Sequence, residues 1–340
     1  MAFSFNFDLQ IKTGEPDNED TTQKEQAHEA KQVISTDTTK EGTEKVKAAK
    51  EHSPPLDYQS LLENTVCETF SLGTLPPIHY LNESVFEQTA SELIDSEKIL
   101  SQTAAQHTDL ISGVYEGGLK IWECTYDLLE YLESEGEVFS GKRVLDLGCG
   151  AGLLGILALK RGAREVHFQD YNSTVIERLT VPNALLNCEG DDDGDEHDHE
   201  KEGEKDSSPL AKRRATDPLQ HAKIAKCRFF SGDWTSFLPL MLRSDPPPKY
   251  DLIFTSETIY NTAYYSALHE VFHRLLAQDG LVYLAIKAHY FGVGGGLYLF
   301  QSFVEEKDIF KMKCLKNVEH GLQRHVVSLS FKKSEKPTNV

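Results

Sequence analysis

Short apolar runs and longer amphipathic segments alternate along the second half of the chain. The short runs predict strands at 143–147, 165–169, 250–255 and 281–286, and a further strand that ends at 229–230. The longer segments predict helices at 153–160, 173–186, 264–277 and 297–312. Because strands and helices alternate and the strands are apolar throughout, the pattern indicates an α/β fold with a doubly wound, mostly parallel sheet. Two closing strands, 314–320 and 325–332, are joined by a turn at Gly321 and add an antiparallel member.

Two regions lack the apolar residues that a folded core needs. Residues 13–56 contain no aromatic side chain, and residues 189–206 hold 11 acids and two lysines. Burial there could not offset the entropy lost on ordering, so both regions are predicted to be disordered. The predicted organisation is a mostly disordered tail with a Phe-rich start at 1–56, an N-terminal extension and gate at 57–120, and a folded domain at 121–333 with a disordered insertion at 189–220.

Composition and charge exclude several classes of function. The chain has 54 acidic and 35 basic residues and a formal net charge of −19, the opposite sign to that of a protein that coats nucleic acid. No apolar run approaches the roughly 18–20 residues of a membrane span, and the start lacks the basic and apolar regions of a secretory signal. The six cysteines form no CxxC pair, which indicates reduced thiols. We therefore expect a protein of the cytosol or nucleus without a direct nucleic-acid or membrane partner.

A glycine-rich turn follows the first of these strands. Gly148, Gly150 and Gly152 remove side chains where the strand passes into a helix, so backbone N–H groups can approach a ligand. The spacing is G-x-G-x-G, Leu153 stands where a dinucleotide-binding turn has its third glycine, and a P-loop lysine is missing. A pyrophosphate or triphosphate ligand is therefore not expected.

Three acidic residues lie around this turn. Asp170 ends the second strand and can accept from both hydroxyls of a ribose, Asp233 follows the third strand and can accept from an adenine amino group, and Asp146 can face a ligand ammonium. A phosphate-free nucleoside with positive charge fits this set, and S-adenosyl-L-methionine has that chemistry. The alternative is that Asp170 and Asp233 are ordinary turn residues.

Several runs of residues resemble known methyltransferases. Residues 144–152 (VLDLGCGAG) resemble motif I of the seven-β-strand methyltransferases, a resemblance that spans roughly 110–333. It implies a Rossmann-like sheet in the order 3-2-1-4-5-7-6, with the last strand antiparallel, and S-adenosylmethionine as methyl donor. Four further runs resemble, more narrowly, the protein histidine methyltransferases that modify large-subunit ribosomal protein L-three: 117–125 (GGLKIWECT), 169–172 (QDYN), 255–260 (TSETIY) and 287–296 (KAHYFGVGGG).

The narrower resemblance implies the activity and the cofactor contacts. It implies methyl transfer to the tele (Nε2) nitrogen of a histidine in that ribosomal protein, with a role in ribosome biogenesis and translation in the cytosol, nucleus and nucleolus. A closing helix would supply Ile121, Trp122, Glu123, Cys124 and Thr125; the methionine part would contact Asp146 and Gly148, with Gly150 beside them; the ribose would contact Asp170, Tyr171 and Asn172; the adenine would contact Gly232, Asp233 and Trp234; and Ser256 would lie beside the methyl. The alternative for Trp122 is a core aromatic on an amphipathic helix.

Histidine as methyl acceptor sets two tasks for the chain. One ring nitrogen must face the methyl as a bare acceptor, and the other must keep its N–H, held by a group that fixes the tautomer. Attack by the tele nitrogen makes Nδ1–H the one to hold. The candidate catalytic residues are Glu257 and Asn261, either of which could hold this N–H, as could a backbone carbonyl of the same turn, and Tyr260, which, like Tyr290, could stack on the ring. The alternative for Glu257 is that it caps the helix near Thr262.

Three further features belong to no predicted element. His107 precedes the proposed gate and is a hypothetical automethylation site, which mass spectrometry of protein incubated with cofactor would test. Lys212, Arg213 and Arg214 form a short basic cluster of the kind found in nuclear localisation signals. Phe3, Phe5 and Phe7 alternate as in a strand, either packed on this domain or added to a partner's sheet. No metal site is expected, because His197 and His199 lie in a flexible acidic tract that would bind weakly.

Three rival functions remain at the level of sequence. A lysine methyltransferase of the same fold would share the cofactor residues, and analysis of the methylated amino acid separates the two. A non-catalytic chaperone of a ribosomal protein would bind the cofactor but transfer nothing, and whether the cellular role survives a change of Asp146 or Gly148 discriminates this alternative. A small-molecule methyltransferase is the third. The acidic net charge favours a basic protein substrate, because opposite charge speeds encounter; chaperones are further expected partners.

Overall fold

The computed structural model describes residues 46–55, 65–83, 110–111, 113–188 and 222–333, together with Leu62 and Ile99. Its strands are β1 Lys50–His52, β2 Cys67–Phe70, β3 Ile78–Leu81, β4 Arg143–Leu147, β5 Glu165–Asp170, β6 Cys227–Ser231, β7 Tyr250–Ser256, β8 Leu276–Lys287, β9 Phe310–Val318 and β10 Arg324–Phe331. Its helices are α1 Glu123–Ser134, α2 Leu153–Lys160, α3 Ser173–Val175, α4 Val181–Leu186, α5 Trp234–Met241, α6 Tyr265–Leu275 and α7 Leu297–Lys307. A π-helical turn, Ile176–Thr180, joins α3 to α4, and a 3₁₀ turn, Thr262–Tyr264, precedes α6.

The main sheet of the described residues has the strand order β1-β6-β5-β4-β7-β8-β10-β9. The five central strands from β6 to β8 are parallel, whereas β10 is antiparallel to both β8 and β9. Strands β2 and β3 form a separate antiparallel pair. The predicted α/β fold with a large, mostly parallel sheet is confirmed.

The predicted strand count was wrong, because the described residues form a sheet of eight strands where seven were expected. The additional strand is β1, which pairs antiparallel with β6 at the edge of the sheet. When β1 is left out and β4 is numbered as strand 1, the remaining seven strands lie in the order 3-2-1-4-5-7-6. Residues 46–55 therefore belong to the fold, which corrects the prediction of a tail that extends to residue 56. Hydrophobic periodicity could not reveal β1, because His52 is its one buried side chain and backbone pairing holds it in the sheet.

Both faces of the sheet are buried. Along β7, Leu252 and Phe254 face one apolar cluster with α1, α2 and α4, and Ile253 between them faces the other with α5, α6 and α7. Side chains of successive strand residues point to opposite faces, so burial of both faces produces the continuous apolar runs seen in the sequence. Helix α7 ends at Lys307, earlier than predicted, because Asp308 adopts a left-handed conformation (φ 55°) and the chain turns into β9.

Several predicted features lie outside the described residues. They are the aromatic residues Phe3, Phe5 and Phe7, the automethylation candidate His107, the insertion 189–220, and the basic cluster of Lys212, Arg213 and Arg214. Among the residues that are described, none of the helices has the length and apolar character to cross a bilayer. The described residues also contain no group of three or more His, Cys, Asp or Glu side chains placed to hold a metal ion.

Candidate active site

A cavity of about 280 Å³ opens at the carboxyl ends of β4, β5, β6 and β7. Ligands of open α/β sheets bind at this edge. Thirteen of the residues named from the sequence line it: Ile121, Trp122, Thr125, Gly148, Gly150, Asp170, Tyr171, Gly232, Asp233, Trp234, Ser256, Glu257 and Tyr260. Residues that the sequence did not single out for the site also line it, among them Glu116, Lys120, Thr258 and Tyr264.

The turn after β4 is built from glycines in the left-handed region. Gly148, Gly150 and Gly152 have φ values of 67°, 49° and 79°, which glycine adopts without steric cost. A Cβ on Gly148 would lie 2.6 Å from Thr258 Cγ2, and one on Gly150 would lie 3.0 Å from the Gly118 carbonyl oxygen. The turn can therefore pass close to its neighbours and still leave the cavity open.

Asp170 presents a buried carboxylate to the cavity at the end of β5. Its oxygens accept from the N–H groups of Gly150 at 3.0 Å and Asn172 at 3.1 Å. Burial raises the pKa of Asp170 to about 6, although these hydrogen bonds oppose the shift. A Cβ on Gly118 would lie 3.0 Å from both carboxylate oxygens, a tight contact that the glycine avoids. The carboxylate lines the cavity, and its contact with a ribose stays a prediction.

Asp146 lies outside the cavity, which corrects the expectation that it contacts the methionine part. Its side chain is 1% exposed, and its carboxylate accepts from the Gly155 N–H at 2.8 Å. Burial raises the pKa of Asp146 to about 8. The period-two alternation of β4 directs this side chain to the face that α2 covers, so it holds the start of α2 behind the glycine turn.

The other end of the cavity is formed by the turn after β6 and by the segment that precedes β1. The Asp233 carboxylate accepts from the Thr235 N–H at 2.7 Å and so caps α5, which is the ordinary turn role given above as the alternative. Asp233 also lines the cavity. The Asp233 N–H donates to the Lys47 carbonyl at 3.0 Å, and Trp234 Nε1 donates to Gln169 Oε1 at 2.9 Å. Val46 also lines the cavity, so the chain before β1 covers this end.

A buried ion-pair network holds the start of α1. Lys287 Nζ lies 2.9 Å from Glu123 Oε2 and 3.2 Å from Glu257 Oε2, and 5.4 Å from the centre of the Trp122 ring. Glu257 Oε1 accepts from the Cys124 N–H at 3.4 Å. Glu123 and Cys124 therefore lie behind the cavity wall and do not line it. The Glu123 carboxylate pairs with Lys287, and the Cys124 side chain is buried in the core.

Glu257, the residue that follows β7, has an unusual backbone conformation. It has φ 56°, a left-handed value that is uncommon for a residue with a side chain. Burial raises its pKa, and the Lys287 ammonium opposes this shift. The cap weighed for Glu257 is supplied by Asn261, whose side chain accepts from the Ala263 N–H at 3.0 Å. Asn261 does not line the cavity, which corrects its selection as an acceptor.

Glu116 joins two tyrosines on the cavity wall. Tyr260 donates its hydroxyl to Glu116 Oε2, while Tyr264 donates to Oε1 at 3.0 Å and the Gly113 N–H donates to the same oxygen at 2.7 Å. Burial, together with the Glu116 carboxylate, holds the pKa of the Tyr260 phenol well above its usual value, so this hydroxyl remains a donor. The Tyr260 ring also meets Tyr290 edge to face, with centroids 6.3 Å apart.

Of the two other residues predicted to contact the ribose, Tyr171 lines the cavity and Asn172 does not. Tyr171 lines the cavity and carries Lys47 Nζ 4.5 Å from its ring centre. Asn172 is fully buried outside the cavity and donates to the Val114 carbonyl at 2.8 Å, while its side-chain oxygen accepts from the Glu116 N–H at 3.3 Å. It therefore positions the segment that carries Glu116. The only sequence signal for Glu116 was its place beside Gly117 and Gly118.

The lining fits S-adenosylmethionine in its charge and its hydrogen-bonding groups. Among the described residues that line the cavity, four carry a carboxylate (Glu116, Asp170, Asp233 and Glu257) and one, Lys120, carries an ammonium. Such a set suits a cationic nucleoside and opposes a phosphate. Gly148 and Gly150 line the cavity at the turn without placing a side chain in it.

Comparison with known proteins gives the family. Residues 125–306 match the family model described as a methyltransferase domain. The histidine protein methyltransferase 1 homolog of Bos taurus is 49% identical over 289 residues, 84% of this chain and 74% of the relative. The homolog of Mus musculus is 50% identical over 287 residues (84% and 75%), and that of Dictyostelium discoideum is 37% identical over 240 residues (70% and 64%). The predicted enzyme class is confirmed: the chain belongs to the S-adenosylmethionine-dependent histidine protein methyltransferases.

Proposed function

We propose that this enzyme methylates the tele (Nε2) nitrogen of a histidine in a basic ribosomal protein, large-subunit protein L-three. The observation that carries the proposal is that a single cavity joins Asp170 and the glycine turn to the Glu116, Tyr260 and Tyr264 cluster. One end supplies acceptors for a nucleoside, and the other supplies a carboxylate and aromatic faces for an imidazole. The net charge of −19 supports a basic protein as substrate. With this substrate the enzyme would act in ribosome biogenesis and translation, in the cytosol, the nucleus and the nucleolus. Chaperones that bind the same ribosomal protein would be further partners.

Positioning of a neutral imidazole is the main task of the chain. S-adenosylmethionine, when bound, supplies a methyl that is already electrophilic, so catalysis depends on an aligned nucleophile. Neutral imidazole has one bare nitrogen near neutral pH, whereas a lysine must first lose a proton. The N–H of the other nitrogen needs an acceptor, and that acceptor decides which nitrogen attacks.

We assign this acceptor role to Glu116. Its carboxylate has about four acceptor positions, and Tyr260, Tyr264 and the Gly113 N–H use three of them. The remaining position can accept an imidazole N–H, while the aromatic rings of the cluster flank the imidazole. Glu257 is the alternative, but its carboxylate is paired with the buried Lys287 ammonium, and its side chain is only 4% exposed. We infer that Glu257 holds the start of α1 in place, directly through the Cys124 N–H and through the Lys287–Glu123 ion pair.

Analysis of the methylated amino acid tests the proposal. The purified enzyme, labelled S-adenosylmethionine and purified protein L-three are incubated, and the product is hydrolysed. We expect tele-methylhistidine as the labelled residue. Methyl-lysine would overturn the assignment of histidine as acceptor, and pros-methylhistidine would overturn the assignment of the tele nitrogen. The same incubation is repeated with a cell extract that lacks the enzyme, where label in a protein other than L-three would overturn the choice of substrate. The matched control is Gly150→Val, because a side chain there collides with the Gly118 carbonyl.

A further inference from the structure

Three large apolar side chains lie exposed close together in the sequence. Phe291 is 71% exposed, Tyr298 is 51% exposed and Leu299 is 54% exposed. They belong to the segment 288–300, which contains no Asp, Glu, Lys or Arg in a chain where such residues make up 26%. Clustered exposed apolar groups without charges mark an interaction surface far more often than scattered ones do. We call these three residues the apolar patch.

The loop that carries the patch is built onto the acceptor end of the cavity. The Gly295 N–H donates to the Tyr260 carbonyl at 2.8 Å, and the Tyr290 N–H donates to the Gly295 carbonyl at 3.0 Å. A Cβ on Gly295 would lie 2.2 Å from the Ile259 carbonyl oxygen, so the loop needs glycine to pack this closely. The Tyr290 ring meets Tyr260 edge to face, and Phe291 is the next residue. The patch therefore begins beside the residues assigned to the imidazole.

The start of α7 continues the same surface. Tyr298 lies in the first turn of this helix, and its ring centre is 5.7 Å from that of His289 on the loop. Leu297 and Phe300 of the helix are buried in the core, which anchors the turn that presents Tyr298 and Leu299 to solvent. Loop and helix thus form one supported surface.

We propose that the apolar patch docks an uncharged, apolar stretch of the substrate polypeptide next to the target histidine. This inference rests on the proposed function and adds a rule for the sequence around the histidine. A free imidazole or other small acceptor would be held within the cavity and would gain nothing from Phe291. A polypeptide chain leaves the cavity on both sides of its histidine and has to pass over the rim, where the loop that carries Phe291 is hydrogen-bonded to the Tyr260 carbonyl through Gly295. The acidic lining selects basic protein at long range, and the patch selects apolar neighbours at contact.

Binding of two matched peptides tests the docking surface. Both peptides are labelled with the same fluorophore, have the same length and contain one histidine and the same number of lysines. They differ only in the residues beside the histidine, which are leucines in one peptide and serines in the other. Fluorescence anisotropy is measured for the enzyme with S-adenosylhomocysteine, the product of the donor. We expect the wild-type enzyme to bind the leucine peptide about tenfold more tightly, because buried aromatic contacts dominate interface affinity.

The variants make the assignment specific. Phe291→Ser and, separately, Tyr298→Ser should remove most of the preference for leucine and leave thermal unfolding and cofactor affinity unchanged. The matched control is Val138→Ser, since Val138 is 64% exposed but precedes β4, at the opposite edge of the sheet from the cavity. Equal binding of both peptides by the wild-type enzyme, or an undiminished preference in both patch variants, would overturn the inference. Product analysis of the same peptides keeps the two proposals apart: a leucine preference without methylhistidine rejects the proposed function alone.

Discussion

Glu116 is the residue on which the choice of ring nitrogen depends. Glu116→Gln keeps one acceptor oxygen but replaces the other by an amide donor, so it cannot accept from both tyrosines and an imidazole. We expect kcat to fall about 10- to 100-fold, as for a misplaced nucleophile, and the tele share of the methylhistidine to decrease. Cofactor affinity should stay unchanged. Glu130→Gln is the control, because Glu130 pairs with Lys316 on the surface. An unaltered tele share in Glu116→Gln would transfer the role to Glu257.

Gly148 tests whether the cavity depends on a bare backbone. Gly148 and Gly136 have similar left-handed φ values, 67° and 62°, but a Cβ meets Thr258 at Gly148 and open space at Gly136. Each Ala variant should lose about 1–2 kcal/mol of stability from backbone strain. Only Gly148→Ala should also weaken S-adenosylmethionine binding, by about tenfold, because its methyl is overpacked at the turn. Calorimetry that finds equal affinity in the two variants would contradict this reading.

Asp170 gives cofactor binding a pH dependence. Its pKa is raised to about 6 by burial in the free protein, and the ionised carboxylate is the form that accepts from ribose hydroxyls. Protonation therefore competes with binding. The affinity for S-adenosylmethionine should be constant above about pH 7 and fall as the pH drops through about 6. Asp170→Asn should bind more weakly at every pH, without this decline; a decline of the same size in both proteins would assign it to another group.

At the scale of elements, β1 is a short strand with a large structural role. His52 is buried, and its ring nitrogens lie 2.9 Å from Glu177 Oε1 and 2.7 Å from Ser231 Oγ. The segment just before it bonds to Asp233 and Ser236 through the Lys47 carbonyl. Strand β1 thus fastens the chain across one end of the cavity.

His52→Ala tests this fastening. The variant leaves the buried Ser231 hydroxyl without its His52 partner, so we expect a loss of about 1–3 kcal/mol in the free energy of unfolding. S-adenosylmethionine should also dissociate faster, because the covering segment is released. His79→Ala is the control: His79 Nδ1 bonds to Thr69 in the two-stranded sheet, away from the cavity. Denaturation and stopped-flow measurements check both effects, and identical dissociation rates in the two variants would refute the role of β1.

At the scale of the whole molecule, the acidic charge should govern the encounter with substrate. The net charge is −19, and carboxylates line the cavity. For a basic protein substrate, kcat/KM should fall as sodium chloride is added, since the screening length is only about 10 Å at 0.1 M salt. The value for a short peptide without net charge should change little. Equal salt dependence for both would show that long-range attraction does not contribute.

Local chemistry explains what could be predicted from the sequence alone. Strands buried on both faces are continuous apolar runs, and the left-handed turn at Gly148 and Gly150 requires glycine, so the mostly parallel fold and the ligand-binding edge are visible in short stretches. Acids at the ends of two parallel strands must meet at one edge, which is why Asp170 and Asp233 were found. The resemblance of four separate runs added the enzyme family.

Long-range packing decided the rest. Glu116 and Tyr260 are separated by 144 residues, and only the folded chain brings the carboxylate to the phenol. Asp146 stands two residues before the glycine turn and points away from the cavity, because the alternation of β4 and the position of α2 set its direction. Strand β1 is polar and held by backbone pairing, so its own sequence carries no apolar pattern. Periodicity encodes which element a residue belongs to, whereas the direction of its side chain depends on distant segments that pack against it.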